Sequence, residues 1–288
     1  ALDNLTTSIV MISLLRKLIA DKPTRWLYAG AVIICANAGG AWSPIGDVTT
    51  TMLWIGGQLT TPVIVSNLIL PSIVCMVVPL TIMSIRMKGD VERPKLLDPD
   101  EDSDPTSKGE RNLIFAMGVS GLLFVPIFKT VTHLPPFMGM MMSLGVLWLT
   151  TEVLHRSKND QDRKTLSVVG VLRKIDTASV MFFLGILLAV AALQEAGHLI
   201  LTADWLRNTL GDVYLINIAI GLLSAIVDNV PLVAASMGMY PIADPGATEW
   251  LSYFVQDGLF WQFLAYCAGT GGSALIIGSA AGVAVMGL

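Results

Sequence analysis

Charged residues are scarce in this sequence, and their scarcity excludes an ordinary water-soluble domain. Only 14% of the 288 residues are Asp, Glu, Lys or Arg, whereas 53% are hydrophobic, and the mean hydropathy is +0.67. Soluble domains contain about 25% charged residues. The composition therefore predicts an integral membrane protein whose partners are membrane lipids and no nucleic acid.

Cysteine is also rare, and the three cysteines indicate neither a disulfide framework nor a metal centre. Cys35, Cys75 and Cys267 lie in apolar segments, without the spacing that is typical of metal ligands. Such cysteines are usually small core residues. No cleavable signal peptide is visible, and we expect no cofactor.

Apolar runs of the length needed to cross a bilayer, about 20 residues, recur along the chain. They occupy residues 27–58, 62–85, 112–130, 134–154, 177–201 and 259–288. Residues 5–19 and 212–240 are apolar too, but the second run contains Asp228, Asn229 and Pro231 at its middle. A hairpin that turns back inside the membrane fits that run better than a straight span. The sequence predicts an all-α polytopic membrane protein.

The basic residues indicate how these spans are oriented. Of the 18 Lys and Arg, all except Lys129 and Arg207 lie in three segments, 16–25, 86–111 and 156–174. The positive-inside rule places these segments in the cytoplasm. With that topology the arm after Asp3 leads to the inside, whereas the hairpin at 212–240 opens outward.

A pattern that occurs twice is the most informative feature of the chain. In each copy an Asp-Asn pair, at Asp3 or Asp228, is followed some 30 to 40 residues later by a glycine-rich interruption of an apolar run. The matching glycines are Gly39, Gly40 and Gly46 in the first copy and Gly271, Gly272 and Gly278 in the second. Because the predicted topology gives the copies opposite orientations, we expect inverted repeats with re-entrant hairpins and broken transmembrane helices, as in many transporters.

The repeats divide the chain into four predicted segments. Residues 1–85 form the transport unit of the first repeat, and 86–111, rich in charge and proline, form a cytoplasmic linker. Residues 112–211 are scaffold helices, and 212–288 supply the second hairpin and broken helix. We expect this to be part of a longer protein.

Three carboxylates, those of Asp3, Asp47 and Asp228, are predicted to lie at depth in the membrane. An ionisable side chain there costs about 2.5 to 3.5 kcal/mol and usually lines an ion or proton pathway. Helix capping alone is the alternative for Asp3 and Asp228, since each precedes a hairpin arm. The repetition of the Asp-Asn pair favours a binding role.

Neutral oxygen donors accompany the carboxylates, and hard cations such as Na+ require several oxygen ligands. The candidates are Asn4, Thr6, Asn37, Ser43, Thr49, Asn229, Thr270 and Ser273. The sodium ligands that we predict are Asp3, Asn4, Asp228 and Asn229. The six glycines permit unwinding of the helices and exposure of backbone carbonyls; close helix packing through small residues is the alternative for them. Asp47 aligns with Ser279, so the two halves are not equivalent.

The strings ALDNLTT at 1–7, NAGGAWSPIGDVTT at 37–50 and SAIVDNVPLVAASM at 224–237 resemble the NhaD-type sodium/proton antiporters of the ion transporter superfamily. The resemblance covers nearly the whole chain. It implies that Asp3, Asn4, Thr6, Asp228 and Asn229 are hairpin-tip ligands and that Ser43, Asp47, Thr49 and Thr270 come from the broken helices. It also implies homodimers formed through the scaffold and elevator-type transport.

Exchange of Na+ or Li+ for H+ is therefore the function that we expect, in a bacterial cytoplasmic membrane or a chloroplast envelope. A sodium-coupled carboxylate carrier ranks second, because the sequence places no Lys or Arg at depth to neutralise an anion. An intramembrane aspartyl protease is a remote alternative, since the residues before Asp47 lack the first glycine of a G-x-G-D signature.

Overall fold

The described residues of this computed structural model are almost entirely helical, as the composition predicts. The description covers residues 3–87, 89, 106–156, 158–159, 166–172, 177–279 and 281–282. The α-helices are α1 (Asn4–Leu18), α2 (Lys22–Ala41), α3 (Val48–Ile55), α4 (Thr61–Arg86), α5 (Lys108–Thr132), α6 (Pro136–Leu154), α7 (Val168–Leu172), α8 (Thr177–Glu195), α9 (His198–Leu210), α10 (Val213–Leu223), α11 (Asn229–Met239) and α12 (Leu259–Gly271). Two 3-10 helices span Glu249–Phe254 and Ile276–Gly278. Within these ranges the only β-type pairing is an isolated bridge between Ala243 and Val255.

Three of these helices are long and apolar enough to cross a membrane. They are α4, α5 and α6, and their bounds confirm the predicted spans 62–85, 112–130 and 134–154. The predicted span 177–201 ends earlier, because the chain bends by 77° between Glu195 and His198. Gly197 has a φ of 76° at this bend, a left-handed conformation that glycine adopts without steric cost.

The predicted interruptions of the apolar runs are present. Residues 42–47, called the first break, separate α2 from α3, and residues 272–279, the second break, follow α12. In the run 212–240, α10 and α11 are joined by a turn at residues 224–228. The run is therefore two short helices, as expected of a re-entrant hairpin.

The chain forms two compact units, residues 1–95 with 184–288 and residues 96–183. In the first unit α12 is the central helix and packs against α2, α3, α4, α10 and α11. Its Trp261, Leu264 and Ala268 side chains are fully buried. A Cβ atom on Gly271 would collide with the carbonyl oxygen of Gly221 in α10, so these helices cross at the backbone contact distance that only small residues allow.

The second unit contains α5, α6 and α7. Helices α5 and α6 pack together, and the Ser143 hydroxyl donates a hydrogen bond of 3.2 Å to the Gly121 carbonyl. Ser107 and Glu110 form a capping box at the start of α5, and the Lys158 ammonium lies 2.7 Å from the Glu110 carboxylate. Most of the predicted linker 86–111 lies outside the described residues.

Candidate cation-binding site

The first Asp-Asn pair lies at the start of α1, where Asp3 occupies the N-cap position. Its carboxylate accepts hydrogen bonds from the Thr6 backbone N–H at 3.2 Å and from the Thr6 hydroxyl at 3.3 Å. Asn4 is buried, and its backbone N–H donates to the Gly46 carbonyl at 3.0 Å. The pair therefore caps a helix and also touches the first break, immediately before Asp47.

Asn37, near the C-terminal end of α2, connects both halves of the chain. Its amide oxygen accepts a hydrogen bond of 2.9 Å from the Asn4 side chain, and its amide nitrogen donates to the hydroxyls of Ser273 at 2.9 Å and Ser279 at 3.2 Å. The side chain is completely buried. The amide oxygen and the amide nitrogen thus each have protein partners. These contacts hold the start of α1, at Asn4, against the second break.

Asp47 is the N-cap of α3, and its surroundings differ from those of Asn37. One carboxylate oxygen accepts a hydrogen bond from the Thr49 backbone N–H at 3.2 Å. The other, Oδ2, is buried and has no hydrogen-bond donor among the described residues. The buried Thr49 hydroxyl lies beside this carboxylate and also lacks a hydrogen bond of normal geometry there.

The second Asp-Asn pair begins α11, which packs against α3. Asp228 is the N-cap residue, and its carboxylate lies beside the backbone N–H groups of Asn229 and Val230, but it makes no capping hydrogen bond of normal geometry. In the described structure its Oδ1 atom and the amide nitrogen of Asn229 are buried without hydrogen-bond partners. Capping alone thus accounts for Asp3 better than it accounts for Asp228.

Electrostatics connect the three predicted carboxylates. Asp3 and Asp228 are both near enough to Asp47 to interact with its charge directly. Across the described residues, no three or more His, Cys, Asp or Glu side chains are grouped closely enough to hold a metal ion. A cation at this position must therefore obtain further ligands from hydroxyl, amide or backbone oxygens.

The two breaks have the same local geometry at the aligned glycines. A Cβ atom at Gly40 would lie 2.6 Å from the carbonyl oxygen of Gly46, and one at Gly272 would lie 2.5 Å from that of Gly278. These distances are too short for a side chain. Close packing is therefore realised inside each break at Gly40 and Gly272.

The last residue of each break also has an equivalent backbone conformation. Asp47 has φ −141° and ψ 142°, and Ser279 has φ −146° and ψ 151°. The Ser279 hydroxyl accepts a hydrogen bond from the Gly282 backbone N–H at 3.2 Å, in the same role that Asp47 has for Thr49. At these two aligned positions the chain thus carries a carboxylate in one half and a hydroxyl in the other.

Three other predicted ligands, Thr6, Thr270 and Ser43, have surroundings that say less about a binding role. Thr6 is exposed and its hydroxyl bonds to Asp3, while the Thr270 hydroxyl donates to the Tyr266 carbonyl of its own helix at 2.6 Å. Ser43 is buried inside the first break. The predicted ligands did not include Ser279 and Gly269, although each aligns with a predicted residue, Ser279 with Asp47 and Gly269 with Asn37.

Comparison with known proteins assigns the family. A family model described as "Citrate transporter" matches residues 1–255. The chain is 50% identical to "Sodium/proton antiporter 1" of Arabidopsis thaliana and 49% identical to "Sodium/proton antiporter 2" of the same plant, covering 48% and 65% of those proteins. It thus spans about half to two thirds of their length. It is also 30% identical to "Na(+)/H(+) antiporter NhaD" of Vibrio parahaemolyticus, over 99% of this chain and 69% of that protein.

Nearly all of the chain takes part in these matches, in agreement with the resemblance that the Asp-Asn pairs and the glycine-rich breaks indicated. Its helices and apolar spans are those of an integral membrane protein. The chain belongs to the citrate transporter family and, with the relatives named above, to its NhaD-type sodium/proton antiporters.

Proposed function

We propose that the protein exchanges Na+ or Li+ for H+ across its membrane and that both ions compete for Asp3, Asp47 and Asp228. The names of the plant and bacterial relatives support sodium/proton exchange. Because the chain covers about half to two thirds of the plant relatives, the activity of the whole protein belongs to this proposal.

The observation that carries the proposal is the unpaired oxygen of Asp47. A buried acceptor without a donor costs about 1 to 3 kcal/mol, and more when it is charged. A proton or a bound cation removes that cost. The Thr49 hydroxyl, buried beside the carboxylate, supplies a second oxygen to a cation.

Competition follows from the chemistry of a buried carboxylate. Burial disfavours the charged form of a carboxyl group, whereas a bound cation favours it. The proton and the cation therefore exclude each other, and each turnover exchanges one for the other. The field of Asp3 and Asp228 adds negative charge that attracts cations of either kind.

Alternating access requires the two halves of the site to move together. The Asn37 amide joins the first tip to Ser273 and Ser279 of the second break. These contacts support an elevator-type movement, in which the hairpins and broken helices cross the membrane as one body. Formation of a homodimer through the scaffold helices remains a prediction from the sequence.

The family description makes citrate transport the second candidate. A citrate carrier must neutralise several negative charges at its site. The described contacts of Asp3, Asp47 and Asp228 include no Lys or Arg side chain. Uptake of labelled citrate by vesicles that show no sodium-dependent proton flux would favour this candidate over exchange.

Replacement of Asp228 tests the exchange mechanism. We expect Asp228→Asn to abolish sodium-dependent dissipation of a pH gradient by the full-length protein in membrane vesicles, because an amide can neither release a proton nor balance a cation. The matched control is Asp212→Asn, which makes the same change at the N-cap of α10, where the carboxylate accepts hydrogen bonds from Tyr214 and Leu215. Normal exchange by Asp228→Asn would remove that residue from the mechanism.

A further inference from the structure

Positions 37 and 269 are equivalent in the internal repeat, because the offset between them is the one that relates Gly40 to Gly272. Their neighbours are equivalent as well. Asn37 contacts Ser273 and Ser279. A Cβ atom on Gly269 would lie 3.6 Å from Cβ of Ala41 and 3.3 Å from Oδ2 of Asp47, and these residues align with Ser273 and Ser279.

The structure thus contains two copies of one contact between the broken helices, and only one copy is filled. In the filled copy the Asn37 amide bonds to the second break. In the other copy position 269 has no side chain, and the unpaired Oδ2 of Asp47 and Oγ1 of Thr49 are the nearest polar atoms, at 3.3 and 3.8 Å from the position of a Cβ atom. Both residues that present these oxygens are at least nine-tenths buried.

We propose that Gly269 is the specificity-determining residue of the site. Because Gly269 has no side chain, there is space in which a cation contacts Asp47 and Thr49. The size of that space limits the size of the cation that fits. This inference rests on the proposed function, and it adds a reason for the choice between Na+ and Li+ that the carboxylates alone do not supply.

Cation size decides the effect of filling this space. Larger cations hold their oxygen ligands at longer distances, as the difference between Mg2+ at about 2.0 to 2.1 Å and Ca2+ at about 2.3 to 2.6 Å illustrates. A methyl group at position 269 occupies volume on the side where Oδ2 of Asp47 is open. Li+, the smaller ion, lies closer to the oxygen and loses less of its space than Na+.

Helix packing alone does not explain this glycine. The nearest atoms to a Cβ at position 269 belong to the side chains of Asp47, Ala41 and Thr49, at 3.3 Å or more. At Gly272, one turn away, the nearest atom is a backbone oxygen at 2.5 Å. Alanine at 269 therefore requires only that the Asp47 side chain shift by a few tenths of an ångström, whereas at 272 a backbone segment would have to move.

The test compares Gly269→Ala with Gly30→Ala, a change in α2 where a Cβ atom has no neighbour within 4 Å. The full-length proteins are reconstituted in vesicles, and proton flux is measured over a range of NaCl and LiCl concentrations. We expect Gly269→Ala to raise the half-saturating Na+ concentration about tenfold, equivalent to about 1.4 kcal/mol, and that of Li+ less than about threefold. Gly30→Ala should change neither.

Each other outcome has a defined meaning. Equal changes for both ions, or no change, would overturn the role of Gly269 while leaving exchange intact. Failure of Gly269→Ala to fold, when Gly30→Ala folds, would show a packing role and also overturn it. Absence of sodium-dependent flux in the unmodified protein would instead refute the proposed function. Thermal stabilisation of the purified variants by each salt gives a readout of binding that does not depend on transport.

Discussion

At the scale of single residues, Asn37 and Asp47, two of the buried polar side chains of the first broken helix, have opposite states. Asn37 has a protein partner for its amide oxygen and for its nitrogen, whereas Asp47 keeps one oxygen unpaired. A saturated amide fixes the structure around it, and an unpaired carboxylate is available to a ligand. The sequence predicts both as cation ligands, because polarity at depth is visible in a sequence but hydrogen-bond partners far along the chain are not.

Removal of the Asn37 amide should therefore destabilise the contact between the halves. We expect Asn37→Ala to reduce stability by about 1 to 3 kcal/mol, because the buried Asn4 amide and Ser279 hydroxyl lose their partner, and to abolish exchange. Asn217→Ala is the matched control, since that buried asparagine donates only to the Val213 carbonyl of its own helix and the helix propensities of the two replacements are equal. Thermal unfolding of the purified proteins compares the stability of the two variants, and proton flux in vesicles measures exchange. Equal losses of stability would contradict a role of Asn37 in holding the two halves together.

At the scale of elements, the glycines of each break have different reasons to be present. Gly40 and Gly272 face a backbone carbonyl across the turn, but a Cβ atom on Gly39, next to Gly40, would meet nothing within 4 Å. The pattern Gly-Gly-x5-Gly predicts the break correctly in both halves. The pattern does not show which glycine is required, because that depends on which atoms a Cβ atom at each position would contact in the folded structure.

Alanine substitutions distinguish these glycines. We expect Gly40→Ala and Gly272→Ala to reduce the yield of folded protein strongly, because in each case a backbone segment must move to accommodate the new methyl group. Gly39→Ala, in the same helical turn, should be tolerated and should gain a little helix propensity. Size-exclusion profiles and unfolding temperatures provide the measurement. Tolerance of alanine at both Gly40 and Gly272 would mean that the breaks are looser than the structure shows.

The helix boundaries illustrate what local sequence signals can specify. The long apolar runs place α4, α5 and α6 within a few residues, because an uninterrupted apolar run of that length is typical of a membrane-spanning helix. The sequence does not predict the bend after Glu195, since Gly197 follows several residues that are equally compatible with a continuous helix. Helix α9 also packs against α11, a tertiary contact that no local pattern reveals.

At the scale of the whole molecule, the repeated sequence pattern gives the candidate site two similar halves that differ in their chemistry. Position 47 carries a carboxylate where position 279 carries a hydroxyl, and position 37 carries an amide where position 269 carries no side chain. The repeat is visible in the sequence, but its crossed contacts, in which each half completes the other, become evident only in the structure. Negative charge therefore concentrates around Asp47, with Asp3 and Asp228 nearby.

This concentration of carboxylates leads to a prediction for pH dependence. Protons and Na+ compete for the same groups, so the half-saturating Na+ concentration should fall as pH rises, by at most about tenfold per pH unit for each proton displaced. It should become constant once the carboxylates are ionised. Calorimetric titration with Na+ in buffers of different ionisation enthalpy counts the protons released. Asp47→Asn should reduce that number, while Asp21→Asn, at the exposed N-cap of α2, should preserve it. Sodium binding without proton release in the unmodified protein would show that Na+ and H+ do not compete for the same groups. Protons would then require an independent pathway.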